Sequence, residues 1–262
     1  MAEAVLTVNQ LQVAFSTRPI VRNVSFQLCP GQVLGIIGES GSGKSATCLS
    51  MLGLLPGATV QGSARLSGQE LIGLTAAELR PIRGPKIGMI LQNPVSYFNP
   101  IATIQRQFIE TLQSHRTLSD SAARSVAVER LIAVGLPDPL RVLRQFPFQL
   151  SGGMLQRVMI AIALSLQPQV LIADEPTTAL DVITQIQILG LIKQLQQQTH
   201  CALLLVTHDL GVIAQLADRV AVMRNGELVE QTSVEQLFDS PQHPYTQTLL
   251  ASRLTQRQRV RR

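Results

Sequence analysis

Residues 38–45, GESGSGKS, constrain the fold of this chain more than any other stretch. They match G-x-x-x-x-G-K-[ST] at every position and lie between an apolar run, VLGIIG, and the segment KSATCLSMLGLL. A buried strand, a glycine-rich loop and a helix in this order form a phosphate-binding loop, because successive backbone N–H groups of the loop point at phosphate oxygens. The order predicts an α/β fold around a nucleotide site, and we name residues 38–45 the P-loop.

Two side chains at the end of the P-loop suit a nucleoside triphosphate. Lys44 supplies a positive charge across the β and γ phosphates, and the hydroxyl of Ser45 fits a Mg²⁺ ligand. Gly-Ser runs also occur in flexible linkers, but a linker does not lie between a buried strand and a helix.

Polar side chains end three further apolar strands. VLIADE (170–175) ends in Asp174, which suits Mg²⁺ or its water, and in Glu175, which can polarise a water for attack on the γ phosphate. Gln92 ends KIGMILQ, and His208 ends ALLLVTH. Each position alone also fits an ordinary strand with a polar end. Because the ends of parallel strands meet at one edge of a sheet, we expect these side chains at the edge that carries the P-loop.

The order of apolar and polar residues elsewhere in the chain predicts further strands and helices around this sheet. Residues 5–28 alternate apolar and polar side chains, which is typical of antiparallel strands with one wet side. Residues 101–149 are helical in composition, with Ser119 or Asp120 as an N-cap and Gly135 as a stop. Asn225-Gly226 predicts a hairpin with a two-residue type I′ turn. DVITQIQILGLIKQLQQQ predicts a helix between two buried strands.

LSGGMLQR, residues 150–157, predicts a second phosphate site. Ser-Gly-Gly precedes a long apolar run, so it resembles the start of a helix whose bare N–H groups and dipole attract an anion.

Taken together, these motifs make the chain similar to the nucleotide-binding subunits of ATP-binding cassette (ABC) transporters. The P-loop, Gln92, LSGGM, VLIADE, ALD (179–181) and His208 occur in that family's order over about residues 5–235. The resemblance implies a P-loop NTPase cassette with a mixed core sheet, an antiparallel β subdomain and an inserted helical signature subdomain. We place the ATP-binding domain at 1–252, the helical insertion at about 101–165 and a basic tail at 253–262.

The resemblance also implies a role for single residues. Glu175 would be the catalytic base, His208 the switch histidine and Gln92 the lid glutamine that couples to membrane partners, and all three are counted as catalytic. Asp181 would cross a dimer interface. Phe15 occupies the position at which the family stacks an aromatic ring on adenine, although Tyr is more common there.

ATP and Mg²⁺ are the ligands that the resemblance implies. The residues expected to contact ATP are Phe15, Gly38, Glu39, Ser40, Gly41, Ser42, Gly43, Lys44, Ser45, Ser151, Gly152, Gly153 and Asp174. The expected Mg²⁺ ligands are Ser45, Gln92 and, through water, Asp174. In this family two cassettes close head to tail, and each SGG helix binds the γ phosphate held by the other chain. Met154 replaces the Gln of the common LSGGQ signature and leaves the Ser-Gly-Gly contacts intact.

The partners implied are a second ABC ATPase subunit, two membrane permeases and, indirectly, an extracytoplasmic solute-binding protein. The ATPase pair is expected to be a heterodimer, with a homodimer as the alternative. The chain is expected on the cytoplasmic face of the inner membrane, as a peripheral subunit. We expect neither a secretory signal in MAEAVLTVNQ nor a transmembrane segment, since the apolar runs are only as long as strands.

Two local segments narrow the subfamily. NPVSYFNP (93–100) and HPYTQTLL (243–250) resemble the ATPases of the peptide and nickel import family. FPFQLSGGMLQRVMIAIA and ETL (110–112) resemble the first of the two ATPases of nickel importers. We therefore predict import of Ni²⁺ or a Ni²⁺ chelate, with di- or oligopeptide import as the alternative.

Other classes fit the composition less well. The net charge of +5 equals the five arginines of the last ten residues, and the chain has no Trp and two Tyr, so we expect no nucleic acid partner. A DNA-repair ABC ATPase would need coiled-coil arms between Gln92 and Ser151, and a ribosome-associated factor would need two cassettes. Cys29, Cys48 and Cys201 are expected to be buried small hydrophobes, and the four His residues are too scattered for a metal site.

Overall fold

The computed structural model describes residues 3–178 and 180–259, without the side chains of 252–259. The chain divides into two compact units, the first made of Met1–Ala76 with Ala202–Arg262 and the second of Ala77–Cys201. The predicted limits of the ATP-binding domain and its helical insertion stay predictions. The side chains of the basic tail lie outside the described residues.

Short strands and helices make up most of the described chain. The strands are β1 Leu6–Phe15, β2 Arg18–Leu28, β3 Val33–Ile37, β4 Ala58–Leu66, β5 Gln69–Glu70, β6 Ile87–Ile90, β7 Val170–Asp174, β8 Ala202–Thr207, β9 Arg219–Arg224 and β10 Glu227–Ser233. The helices are α1 Lys44–Met51, α2 Ala76–Leu79, α3 Pro94–Tyr97, α4 Ile104–Gln113, α5 Asp120–Ala133, α6 Pro139–Arg144, α7 Gly152–Ser165, α8 Val182–Thr199, α9 Leu210–Leu216, α10 Val234–Asp239 and α11 Pro244–Arg259. A short 3₁₀ turn, Pro147–Gln149, precedes α7.

The first unit begins with an antiparallel sheet in the order β2-β1-β4-β5. Leu6 lies opposite both Leu28 and Leu66, and all three side chains are buried. Polar residues alternate with these apolar ones along β1, so one face of the sheet packs and the other is wet. The predicted antiparallel strands at the N-terminus are confirmed.

The P-loop follows β3, which is buried along its whole length between two parallel strands, β8 and β9. Antiparallel β10 joins the far side of β9, so the strands of this unit run in the order β10-β9-β3-β8. Asn225 and Gly226 connect β9 to β10 with φ values of 50° and 87°, as a type I′ turn requires. The predicted hairpin is confirmed.

The second unit contains the parallel pair β6 and β7, with Ile87 opposite Val170 and Ile90 opposite Ala173. Between these strands the chain is mainly helical, as predicted. The Ser119 hydroxyl caps α5 by accepting from the amide of Ala122, and Gly135 follows the helix with φ 75°. α7 is buried from Leu155 to Ser165 except for Arg157, because its long apolar run fills the centre of the unit.

The cysteine prediction needs one correction. Cys48 and Cys201 are buried free thiols, but Cys29 is only half-buried because it follows β2 at the edge of the sheet. None of the helices in the described part of the chain combines the length and the apolar character needed to cross a bilayer.

The Glu70 carboxylate stabilises the β4–β5 turn through hydrogen bonds. It accepts from the Ser63 hydroxyl at 2.5 Å and from the amides of Ala64 at 2.8 Å and Ile72 at 3.1 Å, while Arg65 lies 3.4 Å away. Burial raises the pKa of Glu70, but these hydrogen bonds outweigh it and lower the pKa to about 2. The ionised carboxylate therefore stabilises the folded chain above the pKa of the unfolded state and stops doing so as the pH falls toward 2.

We predict that Glu70→Gln lowers the thermal midpoint by about 2 to 4 °C at pH 7, because about 1 kcal/mol of charged hydrogen bonding is lost. The difference from wild type should shrink at pH 4, where the unfolded state already binds the proton. Thermal unfolding at both pH values measures this. Exposed Glu227 offers a matched control, and a difference that stays constant with pH would contradict the prediction.

Candidate functional site

The P-loop folds Lys44 back onto its own backbone. Lys44 is 5% exposed, and its Nζ donates to the carbonyl oxygens of Gly38 at 2.9 Å and Glu39 at 2.8 Å. These two contacts fix the ammonium inside the curve of the loop, at the N-terminus of α1. A positive charge and the first amides of a helix then face the same small volume, which suits an anion.

The hydroxyl of Ser42 indicates that a phosphate fits inside the P-loop. This hydroxyl is buried and has no hydrogen-bond partner among the described residues. A buried polar atom left without a partner is unfavourable by about 1 to 3 kcal/mol. A phosphate oxygen in the loop would accept from this hydroxyl, so the residues present fit the predicted nucleotide.

The β9–β10 hairpin supports the P-loop from outside. The amide of Gly226 donates to the carbonyl of Ser42 at 2.9 Å. The carbonyl of Met223 lies so close to Gly38 that a Cβ at that position would overlap it. Glycine is therefore required at position 38 by this close approach alone.

His208 and Phe15 belong to the same unit as the P-loop. Because β3 and β8 are parallel and Ile37 lies opposite Thr207, His208 follows its strand at the edge where Gly38 follows β3. That edge placement is the predicted one. Phe15 ends β1 and is 38% exposed, so its ring is accessible for stacking.

The second unit holds the carboxylates and the glutamine. Ile90 lies opposite Ala173 in the parallel pair β6 and β7. Gln92, which follows β6, and Asp174, which ends β7, therefore lie at the same edge of the sheet. Asp174 is 5% exposed. The amide nitrogen of Gln92 donates to Oε2 of Glu175 at 3.1 Å. Gln92 lies two residues beyond β6 rather than at its last position, because regular pairing ends at Ile90.

Glu175 is held in an unusual backbone conformation. Its φ is 45°, in the left-handed region that a residue with a Cβ adopts at a penalty of about 1 to 3 kcal/mol. The hydroxyl of Thr178 donates to the same Oε2 at 2.7 Å, and the amide of Thr178 donates to the Glu175 carbonyl at 3.3 Å. Sequence reasoning missed Thr178, although a threonine three residues after a carboxylate can make this local contact.

The SGG segment forms an exposed helix start, as predicted. The Ser151 hydroxyl caps α7 by accepting from the amide of Met154 at 3.3 Å, and Gly152 is exposed. Only the backbone of Met154 takes part in this cap, so its side chain does not affect it. The first amides of a helix have no partner within the helix, and those of Gly152 and Gly153 are thus available to an anion.

The start of α8 packs against this segment. A Cβ on Gly153 would lie 2.7 Å from Cγ2 of Thr184, so a larger residue does not fit there. Thr184 in turn donates its hydroxyl to Oδ2 of Asp181 at 2.7 Å and its amide to Oδ1 at 3.0 Å. These bonds lower the pKa of Asp181 below its usual value. Ala179, part of the predicted ALD motif, lies outside the described residues.

The predicted site residues are thus divided between the two units. The P-loop, His208 and Phe15 belong to the first, and Gln92, Ser151–Gly153, Asp174 and Glu175 belong to the second. Within each unit the parallel strand pair places the polar ends at one edge, as predicted.

A known protein family matches more than half of this chain. The ABC transporter family matches residues 21–178, more than half of the chain. The oligopeptide transport ATP-binding protein OppD of Lactococcus lactis subsp. cremoris is 48% identical over 257 residues, which cover 96% of this chain and 76% of that protein. The dipeptide transport ATP-binding protein DppD of Bacillus subtilis is 48% identical over 257 residues, covering 95% and 77%.

A solved structure has the same fold. The dimeric post-hydrolysis structure of the ATP-binding cassette MJ0796, bound to ADP and Pi, superimposes with a TM-score of 0.77 at 28% identity, covering 87% of this chain and 98% of that one. The predicted cassette fold, with its mixed sheet, antiparallel sheet and helical subdomain, is confirmed.

We predict that Thr178→Val lowers ATP turnover about 5- to 20-fold while ATP affinity stays within twofold, because the Glu175 carboxylate loses the hydrogen bond from the Thr178 hydroxyl. Steady-state turnover and nucleotide titration measure the two quantities. Thr178→Ser keeps the hydroxyl and should recover most of the rate. Equal turnover by the Val and Ser variants would contradict a role for this hydrogen bond.

Proposed function

The chain belongs to the ABC transporter family, whose ATP hydrolysis is coupled to transport, and from this premise we propose that it drives the import of di- or oligopeptides. The observation that carries the proposal is the 48% identity, over nearly the whole chain, to proteins named for oligopeptide and dipeptide transport. The same comparisons favour peptide over nickel. We therefore replace the nickel prediction by the peptide alternative.

The proposed binding step begins at the P-loop. Lys44, the Ser42 hydroxyl and the P-loop amides hold the β and γ phosphates of ATP, and Phe15 stacks on adenine. Ser45, Asp174 and Gln92 are the oxygen donors that would hold Mg²⁺, whose set of hard ligands they match. When bound, Mg²⁺ neutralises charge on the phosphates.

The proposed chemical step belongs to Glu175. Its carboxylate accepts a proton from a water as the water oxygen bonds to the γ phosphorus and the bond to the bridging β–γ oxygen breaks, which yields ADP and phosphate. Gln92 and Thr178 both donate to Oε2 and so fix the plane of the carboxylate before the water arrives. His208 orients Glu175 or contacts the γ phosphate.

We propose that Ser151, Gly152 and Gly153 serve the nucleotide of a second ATPase subunit. The helix start that they form is exposed and suits an anion. Because this chain already has a P-loop for its own nucleotide, the second anion site is free to serve the nucleotide of another subunit. Asp181, fixed by Thr184 beside this helix start, would lie in the same subunit contact. The second subunit is either an unlike ATPase or another copy of this chain.

We propose that the permeases contact the segment after Gln92. There the second unit has a cavity of about 630 Å³ lined by Tyr97, Ile101, Arg106 and other residues. Val95 and Ile101 in this segment are 62% and 84% exposed, so apolar side chains are available to a partner here. A permease segment packed here would hold the chain at the cytoplasmic face of the membrane, with a solute-binding protein acting from the other side.

We predict that Ser151→Arg abolishes turnover by the assembled transporter and leaves nucleotide affinity of the isolated chain within twofold of wild type. The large cation blocks the exposed helix start, which serves the opposite P-loop. Titration of the isolated chain and turnover of the complex measure the two effects. A large loss of affinity in the isolated chain would show that this serine serves its own P-loop instead.

The solute is tested in cells lacking this chain. On the peptide proposal they lose growth on, and uptake of, labelled di- or tripeptides, and recover both with wild type but not with Lys44→Ala, which removes the charge that faces the phosphates. Uptake of radioactive Ni²⁺ is measured in the same strains. Normal peptide uptake beside lost Ni²⁺ uptake would reverse the choice of solute and leave the ATPase mechanism unchanged.

A further inference from the structure

Tyr245, in the HPYT segment, is a buried tyrosine that the proposed mechanism does not use. It is 6% exposed at the start of α11, and the guanidinium of Arg224 lies 4.7 Å from the centre of its ring. Arg224 is the last residue of β9, next to the hairpin turn that supports the P-loop. The ring is therefore fixed by a cation–π contact to β9, the strand that leads into the hairpin turn beside the P-loop.

The start of α11 is fixed independently of the ring. The two carboxylate oxygens of Glu230 accept from the amides of Gln242 at 2.9 Å and His243 at 3.0 Å. Nδ1 of His243 then accepts from the amide of Tyr245 at 3.1 Å. β10 thus holds the backbone that carries Tyr245, and the position of the Tyr245 hydroxyl is set by contacts on both sides.

That hydroxyl reaches the P-loop. The amide of Glu39 donates to it at 3.3 Å. Glu39 is also the residue whose carbonyl accepts from Nζ of Lys44 at 2.8 Å. Glu39 is therefore held by Tyr245 through its amide, and it holds the Lys44 ammonium through its carbonyl.

We propose that Tyr245 is a positioning residue for the P-loop, through which docking of α11 strengthens the binding of ATP. The hydroxyl fixes Glu39, and Glu39 fixes the Lys44 ammonium that faces the phosphates. With the hydroxyl absent, the Glu39 peptide gains freedom that nucleotide binding must remove. The coupling is reciprocal, so bound nucleotide also stabilises the docked start of α11. The inference rests on the proposed function only in taking the P-loop as the ATP site.

The test compares single-hydroxyl deletions in the purified full chain, with the non-hydrolysable ATP analogue AMPPNP and Mg²⁺ as the probe. Tyr245→Phe keeps the ring under Arg224 and removes the bond to Glu39. Its Kd, measured by calorimetry, should rise about three- to tenfold, as expected for one lost hydrogen bond. Thr248→Val is the matched control: exposed Thr248 lies on the same helix and donates only to the Pro244 carbonyl among its described contacts, so its Kd should not change.

Hydrogen exchange separates local loosening of the loop from a loss of overall stability, which would also speed exchange of core amides. In the nucleotide-free chain, exchange of the Glu39 amide should be at least threefold faster in Tyr245→Phe than in wild type or Thr248→Val. Arg224→Met, which leaves Tyr245 in place but removes the cation over its ring, should weaken AMPPNP binding in the same direction. It serves as the second variant if Tyr245→Phe does not fold.

Lys44→Ala shows whether a negative result concerns only Tyr245 or the ATP site itself. If it abolishes AMPPNP binding while Tyr245→Phe binds within 1.5-fold of wild type, Tyr245 does not position the loop and the proposed function is unaffected. If Lys44→Ala binds like wild type, the P-loop is not the ATP site, and both the proposed function and this inference are wrong. A Tyr245→Phe loss no larger than that of Thr248→Val also overturns the inference.

Discussion

The backbone contact between the β9–β10 hairpin and the P-loop is the interaction on which the nucleotide site depends. A loop of small residues has few side chains with which to pack, so its shape must be imposed by hydrogen bonds and close backbone approach. Gly226 donates to Ser42, and the Met223 carbonyl fills the space beside Gly38. The hairpin is joined to the central strand β3 through β9, so the loop has the rigidity of the sheet. The binding groups are therefore preorganised before a phosphate arrives.

The charged groups at the strand ends differ between the two units. The P-loop presents a buried ammonium and amides, while the second unit presents two carboxylates at the end of β7. In each unit the predicted residues at the strand ends follow or end strands of a parallel pair, so the pairing of those strands sets where these residues lie. Short strands buried on both faces suit this task because every side chain in them is packed.

Much of this could be predicted from the sequence because the signals are local. The P-loop, the Asn225-Gly226 turn and the Ser119 cap each lie within a few residues and need no knowledge of distant contacts. Tyr245 could not be predicted, since its partner Glu39 lies 206 residues away in the chain. The orientation of Glu175 and the half-exposure of Cys29 depend on backbone geometry and on the edge of a sheet, which composition does not reveal. Short segments such as 93–100 and 243–250 suit both peptide and nickel import, whereas the identity over nearly the whole of this chain favours peptide.

The left-handed backbone of Glu175 places stability and activity in conflict at one position. Its φ of 45° is one that glycine or asparagine adopts more easily than glutamate. Selection for thermal stability alone would thus favour replacing this residue. With Glu175 as the base that we propose, such a stabilised chain would still hold nucleotide but would no longer hydrolyse it.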